Sequence, residues 1–556
     1  MTPIDSCTAR FPHLLLLAAC AVVGLAVPGV AQEEPADPAL PVHQAGSDDP
    51  GGAAPGEHAG AESSSKASLN TTDAEPGTLD LTNSLTAAGA RVLPLSLDAA
   101  LTHSETNNLG LKLEDISTEV ARFNAAGGHG QFDWVFGSNF EHEDFERPPI
   151  AAYEGNSQVT GTRQSYGVSL TRALETGGTI TTDWGTERKE TIGGFANFPR
   201  ETSQQLSMRF SQPLLRGFGL ERGMSEQRES EVLFLQQMET RRQTRQRLLR
   251  DTADAYWDLV QKGRQLQVAS SSLDLGEEQL LRNQRLLDAG VGTEVEVIQA
   301  EAEVATRGET KLAAELAVKT AEDALKALVF PGKDTESWNR VLQPTTPLPE
   351  VASLEGLESW TVILERALRK RPELRQTELE IQLAKLRHER AISDRHYGLD
   401  FTSRVVAQGN GPHYDTAQDQ VRHGDAITWA AGLTLEAPIQ NRTRVNAERA
   451  AREQVKAARI RYEQQETAIV AEVRDAVRQL RYQSMAVAAA GESLRAARRQ
   501  LEAEVARYEN DLSTNFQVLE YQLRLVEAMN NVQTSRANYA KSLYQLRAAE
   551  GTLGER

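Results

Sequence analysis

Apolar residues recur at every seventh position along two long stretches of this chain, and at every second position along shorter stretches that precede them. In the first long stretch the seam runs through Leu259, Leu266, Leu273, Leu280 and Leu287. Adding 221 carries it onto Leu480, Val487, Leu494, Leu501 and Tyr508, and carries Thr293, Val297 and Ile298 onto Thr514, Val518 and Leu519. One matched row could arise by chance, but two rows that keep register through the break after them indicate an internal duplication. A seven-residue spacing puts one apolar seam on a helix, and that seam has to be covered by a neighbouring helix, as in a coiled coil. Residues 224–288 and 441–508 contain no proline, so each predicts a helix on the order of 100 Å long. The breaks that follow, 289–293 and 510–514, carry Gly, Asn and Asp, which tolerate the left-handed geometry that ends a helix. They predict hairpin tips, with return helices from Glu294 to about Val329 and from Asn515 to about Gly551.

The two-residue period marks strands. Leu206–Ser211 and Ile427–Leu435 alternate apolar with small or polar residues, as a strand with one lipid-facing side does. Their expected partners are Phe132–Phe140 and Leu399–Val405, giving four core strands. A further pair, Tyr166–Leu170 and Thr179–Trp184, has no assigned place in this plan. Pro213 and Pro438 close the last strand of each half, where a missing N–H is tolerated. Shorter helices are expected at Leu97 to about Phe123 and at Trp360 to about Ile392. These elements divide the chain into a first structural repeat (93–329), a proline-rich connector (330–359), a second repeat (360–551) and a short tail (552–556).

The N-terminus adds an export signal. Arg10 is followed by an apolar run from Leu14 to Val27 and by Gly29-Val30-Ala31, a small-x-small cleavage site that makes 1–31 a secretory signal peptide. Leu17-Ala18-Ala19-Cys20 also has the form of a lipoprotein box, in which Cys20 would be acylated, and both processing routes stay open. Residues 32–92 are rich in Ala, Gly, Pro, Ser, Asp and Glu and predict a disordered leader. No other stretch reaches the roughly 20 apolar residues that a spanning helix requires, so contact with outer membrane lipid falls to the strands or to a lipid anchor. Asp and Glu total 78 against 60 Lys and Arg, a net charge of -18, which excludes the basic surface that nucleic acid demands.

Three further strings carry a resemblance. They are Ser211-Gln212-Pro213-Leu214-Leu215-Arg216-Gly217-Phe218-Gly219, Arg371-Pro372-Glu373-Leu374, and Leu433-Thr434-Leu435-Glu436-Ala437-Pro438-Ile439. In this order, within a duplicated plan, they resemble the TolC-like outer membrane efflux family from Leu95 to Gly551. The resemblance implies a fold that is mainly α with membrane β: an internally duplicated long-helix coiled-coil tunnel plus a transmembrane β-barrel of 12 strands completed by a homotrimer. It also implies a periplasmic adaptor protein and an inner-membrane transporter as partners, in a tripartite efflux or type I secretion system. Independently of the family, a barrel in lipid must close and the smallest have eight strands, so four core strands per chain call for several copies.

Carried over residue by residue, the resemblance places adaptor-docking tips at Ala289, Gly290 and Val291 and at Asn510, Asp511 and Leu512. The second copy departs from the family's pattern, with Asp511 where glycine is usual. Where the family can ring its tunnel mouth with aspartate, this chain has Glu296 and Gln517, with Glu520 one turn on. Their alternative reading is that of ordinary solvated helix residues.

Catalytic patterns are missing. Gly217-Phe218-Gly219 with Gly223 has the wrong spacing for a dinucleotide loop, the histidines lack zinc-site spacing, and no cofactor is expected. The function expected is a passive outer membrane duct rather than an enzyme. The alternative is a non-transporting structural periplasmic or surface coiled coil, which would have no need of paired amphipathic strands.

Overall fold

A computed structural model describes residues 92–148, 159–192, 200–330, 332, 335–351, 358–510 and 512–555. The expected signal peptide, Cys20, nearly all of the leader, and Asp511 lie outside them. The first described strand, β1 (Val92–Leu95), leads into helices α1 (Leu97–Asn107) and α2 (Leu109–Gly127). Strands β2 (Val135–Arg147), β3 (Val159–Ala173), β4 (Thr179–Ile192) and β5 (Arg200–Pro213) follow. Helices α3 (Ser225–Asp288) and α4 (Glu294–Val329) then form the first long hairpin, and β6 (Val341–Pro344) lies in the connector. The second half runs α5 (Trp360–Lys370), α6 (Pro372–Arg395), β7 (Gly398–Gly411), α7 (Tyr414–His423), β8 (Ile427–Glu436), α8 (Arg442–Tyr508) and α9 (Asn515–Glu550).

The heptad seam explains the long helices. Leu259 and Leu266 are buried on α3, and Leu480 and Leu501 on α8. α3 packs against α4 and α9, and α9 packs in turn against α8, so the two hairpins lie side by side in the order α4, α3, α9, α8. α6 bridges α3 and α8, while α2 lies on α3. The two copies therefore sit in unequal surroundings, α3 in the middle of the layer and α8 at its edge. Tyr256 and Trp257 are buried on α3, and their equivalents on α8 are Val477 and Arg478.

The core centres on this part of α3, where Leu95, Leu97, Tyr256, Trp257, Leu325 and Leu342 pack together. β1 and β6 pair in parallel, Val92 opposite Val341, so the connector is stitched back to the start of the first repeat. Tyr256 Oη locks this clasp by donating to Leu95 O at 3.1 Å and accepting from Thr346 N at 3.0 Å.

The main sheet departs from the expected plan. Among the described residues it has six strands in the order β2-β3-β4-β5-β7-β8, all antiparallel. The pair that had no place is its middle: β3 and β4 stand between β2 and β5, which do not pair with each other. These strands are 15 and 14 residues long, and each offers a complete ladder to both neighbours. The short windows Tyr166–Leu170 and Thr179–Trp184 hid that length, because apolar alternation covers only part of each strand. Two expected single helices are broken as well. Asn108 caps α2 through Leu111 N, and Pro372 starts α6 at the position where its missing N–H is harmless.

Replacing Tyr256 with Phe leaves Thr346 N–H without its partner, while Leu95 C=O keeps the bond it accepts from Thr345 N at 3.1 Å; one buried donor left unpaired costs about 1–3 kcal/mol. Thermal unfolding of the purified protein followed by helical circular dichroism should show a lowered midpoint, and an unchanged midpoint would remove the clasp from the account.

Candidate membrane sheet and tunnel tip

Strand alternation divides the six-stranded sheet into two unlike faces. One face carries Phe136 and Phe140 on β2, Tyr166, Val168 and Leu170 on β3, Ile180 and Trp184 on β4, and Leu206, Met208 and Phe210 on β5. It continues through Phe401 and Val405 on β7 to Trp429, Leu433 and Leu435 on β8. Little covers this face: Phe140 is 73% exposed and Trp429 76%. An open apolar surface of this extent marks contact with lipid or another chain. The opposite face is mostly polar: small on much of β3 and β4, with Ser165, Gly167, Ser169, Thr181 and Gly185, it also carries Phe145, Lys189, Arg209 and Arg404. Arg163 pairs there with Glu143 and Glu187, each at 3.0 Å.

At the end far from the long helices, α7 packs on the apolar side of β7 and β5. The fit demands glycine, since a Cβ at Gly409 would stand 2.0 Å from Ala417 O. At the near end the strand-to-helix junction is tied to the rest. Gln212 Nε2 donates to Thr176 O at 3.0 Å, Arg216 pairs with Glu436 at 3.0 Å, and Arg222 pairs with Asp394 at 3.0 Å. Gly217 and Gly219 turn with positive φ, 84° and 100°, which favours glycine. The string from Ser211 to Gly219 is thus a set of fasteners between sheet and tube.

The first tip ends α3 with Gly290 at φ 74°, while Val291 N and Gly292 N both donate to Leu286 O, at 3.0 and 2.9 Å. Ala289, Gly290 and Val291 are exposed, Val291 by 78%. In the second tip Leu512 N donates to Arg507 O at 2.9 Å, and Asn510 and Leu512 are exposed. Thr293 and Thr514 cap the return helices. Glu296 closes a capping box, its Oε2 accepting from Thr293 N at 3.0 Å, and Gln517 Oε1 accepts from Ser513 at 2.7 Å. The carboxylate of Glu520 pairs with Arg524 at 2.6 Å.

Sequence reasoning missed the groups that join the hairpins. Gln279 Nε2 donates to Asn515 Oδ1 at 3.0 Å across the two hairpins, while Asn283 Nδ2 donates to Glu296 O at 3.1 Å within the first. Arg307, only 6% exposed, donates to Ser272 O at 2.8 Å, Glu303 Oε1 at 2.8 Å and Gln522 Oε1 at 3.1 Å. One side chain on α4 thus holds α3 and α9 together. The duplication held a usable signal: 221 positions on, Arg307 becomes Ala528. Polarity broken between otherwise matching copies marks the surface where the copies meet. Elsewhere on α3, burial pushes the Asp254 carboxyl up to about 6, against the pull of Lys541 and Arg250.

Arg307→Ala strips Glu303 and Ser272 O of a buried partner and should lower the thermal midpoint by several degrees, whereas Arg524→Ala removes an exposed pair worth about 0–1 kcal/mol. Equal midpoints for the two variants would contradict the clamp. Because the fold favours protonated Asp254, its contribution is fully present below the unfolded value of about 3.9. It is lost as pH rises through about 6. Asp254→Asn should therefore gain stability over the wild type between about pH 4 and pH 6, and midpoints that stay parallel across that range would contradict it.

No curated protein matches the chain. Among solved structures it is similar to the CmeC outer membrane channel of Campylobacter jejuni, with 17% identity, a TM-score of 0.63, and coverage of 82% of this chain and 85% of that one. It is likewise similar to the outer membrane protein VceC of Vibrio cholerae (13% identity, TM-score 0.61, 82% and 96% covered). A third similar structure is the open state of the MtrE outer membrane channel of Neisseria gonorrhoeae (17% identity, TM-score 0.58, 85% and 95% covered). At these identities the likeness shows the fold, a helical tunnel joined to a β-barrel. The family model described as outer membrane efflux protein matches residues 174–329 and 363–552, once on each repeat and together over more than half of the chain. The chain therefore belongs to the outer membrane efflux protein family, as an outer membrane channel whose helical part stands in the periplasm.

Proposed function

We propose that three copies of this chain close into one passive duct, the exit of a tripartite efflux or type I secretion system. Energy in this reading comes from an inner-membrane transporter reached through a periplasmic adaptor protein. The observation that carries it is the set of surfaces one copy leaves open. Among the described residues, nothing pairs with the two edges of the apolar-faced sheet, β2 and β8. On α2, Leu109, Leu113, Ile116, Val120 and Phe123 form an exposed stripe at heptad spacing, and Val295, Ile298, Leu312 and Leu316 form another on α4. Helix stripes of this spacing ask for a partner helix, and a sheet in lipid asks for closure. Neighbouring copies supply both at once.

In this assembly the two repeats, 93–329 and 360–551, contribute equivalent hairpins to the tube. The tips at Ala289, Gly290, Val291, Asn510, Asp511 and Leu512 meet the adaptor, supported by the exposure of the described ones. Glu296, Gln517 and Glu520 stand at the tunnel mouth, where Glu296 also caps its return helix and Gln517 accepts from Ser513. A signal peptide ending at Ala31 delivers the chain to the periplasm.

Protein extracted from outer membranes and added to a planar bilayer should conduct ions in discrete steps, and Leu113→Lys, which puts a charge into the α2 stripe, should reduce the number of channels formed at least tenfold. Wild-type material that binds the bilayer without conducting would overturn the duct. A photo-crosslinker at Gly290 should capture an adaptor, and capture from a site on the sheet but not from the tip would overturn the docking assignment.

A further inference from the structure

The family resemblance implies two wall strands from each repeat, yet the described residues of this chain build six strands into one sheet. We propose that its barrel closes from eighteen strands, six from each of three copies, with β2 of one copy pairing antiparallel to β8 of the next. The helical tube then opens into a vestibule wider than itself. This rests on the threefold duct above and adds to it the number of wall strands and the identity of the joining edges.

Three observations place the β3–β4 hairpin in the wall rather than inside or outside it. Its ladders are complete: β3 pairs with β2 from Val135 to Arg147, and β4 pairs with β5 from Thr179 to Glu190. Its apolar residues continue the lipid face across the sheet, in rows such as Phe140 and Tyr166, or Val168, Trp184 and Leu206. Tyr166 and Trp184 also lie with ring centroids 6.4 Å apart on that face. Finally, its inner turn is fixed to the junction of sheet and tube. Gly219 N donates to Thr176 O at 3.2 Å, Thr176 Oγ1 donates to Gln212 Oε1 at 2.8 Å, and Gly223 abuts Glu175 O so closely that a Cβ would stand 1.9 Å from it. A hairpin swung out of the wall would break all of these.

The joining edges follow from strand direction. β2 leads away from the helices and β8 returns to them, so the β8 edge of one copy meets the β2 edge of the next in antiparallel fashion, as lipid-embedded barrels require. Every residue of β8 is exposed in the single copy, although Trp429, Leu433 and Leu435 would sit in a core or in lipid in any folded state. Diameter grows roughly linearly with strand number, so eighteen strands give a barrel about 1.5 times as wide as twelve. The inner face of the hairpin does not refill that width, since Gly161, Ser165, Gly167, Ser169, Thr181 and Gly185 are small, Arg163 is held against the wall by Glu143 and Glu187, and Lys189 lies over the Phe145 ring at 5.7 Å. Selection of cargo then falls to the helical mouth alone.

Cysteine pairs in the outer membrane test the joint. Asn139→Cys combined in turn with Thr428→Cys, Ala430→Cys, Gly432→Cys and Thr434→Cys should give, in one register, disulfide-linked chains up to trimers. Asn139→Cys combined with Ser203→Cys, Gln205→Cys or Ser207→Cys should give no bond within the chain, because two strands separate β2 from β5 at about 4.8 Å each. A β2–β5 bond formed alongside linked trimers would overturn the eighteen-strand wall and leave the threefold duct standing. Loss of every interchain bond would overturn both. In single channels, poly(ethylene glycol) added from the barrel side should enter up to a radius about 1.5 times that admitted by a variant lacking the hairpin, and equal cut-offs would contradict the vestibule.

Discussion

Backbone amide and carbonyl groups at the edge of a sheet have nowhere to go in hydrocarbon, and each one left unpaired costs several kcal/mol. The sheet of this chain has an apolar face on every strand and two open edges, so it is incomplete as a single copy. Everything else in the molecule serves that requirement. The long hairpins bring a second set of open surfaces, the stripes on α2 and α4, which ask for the same neighbours. Sheet and tube are joined by the fasteners around Gln212, Arg216 and Arg222, so closure of one constrains closure of the other.

Duplication supplies the tube cheaply in sequence terms, but it does not give two equal halves. α3 lies within the layer and carries the buried Tyr256 and Trp257, whereas α8 lies at its edge and carries Arg478, exposed, at the place of Trp257. The aspartates obey the same division. Asp254 is half-buried and its carboxyl is pushed up, while Asp475, its equivalent, is exposed and paired with Arg478. Matching helices thus diverge where burial differs, and Arg307 against Ala528 is the sharpest instance: a cation is kept at the one copy where three acceptors surround it.

The helical half of the fold was legible because heptad periodicity is long, strong and repeated. Leu259 through Leu287 and their partners 221 positions on fixed the hairpins, and the breaks carrying Gly, Asn and Asp marked their tips. The sheet was legible in kind but not in order. A strand with one lipid face gives only a short alternating signal, as Tyr166, Val168 and Leu170 do within a strand of 15 residues, and no local pattern says which strand stands beside which. β6 was hidden for another reason, since Val341–Pro344 pairs with a strand almost 250 residues away and sits among prolines. Of the tip residues, exposure and turn geometry were foreseeable from glycine and asparagine. The capping role of Glu296 and the bond that Gln517 accepts from Ser513 compete with a role at the mouth and depend on side-chain geometry that no sequence pattern states.

The central claim is that β2 and β8 are paired in the working protein although they are edges of the chain. Hydrogen–deuterium exchange on protein held in outer membrane lipid reads this directly, amide by amide. Exchange at the outward-directed amides of β2 and β8 should be as slow as in the interior strands β4 and β5. Rapid exchange confined to those two edges, with the interior strands protected, would contradict it.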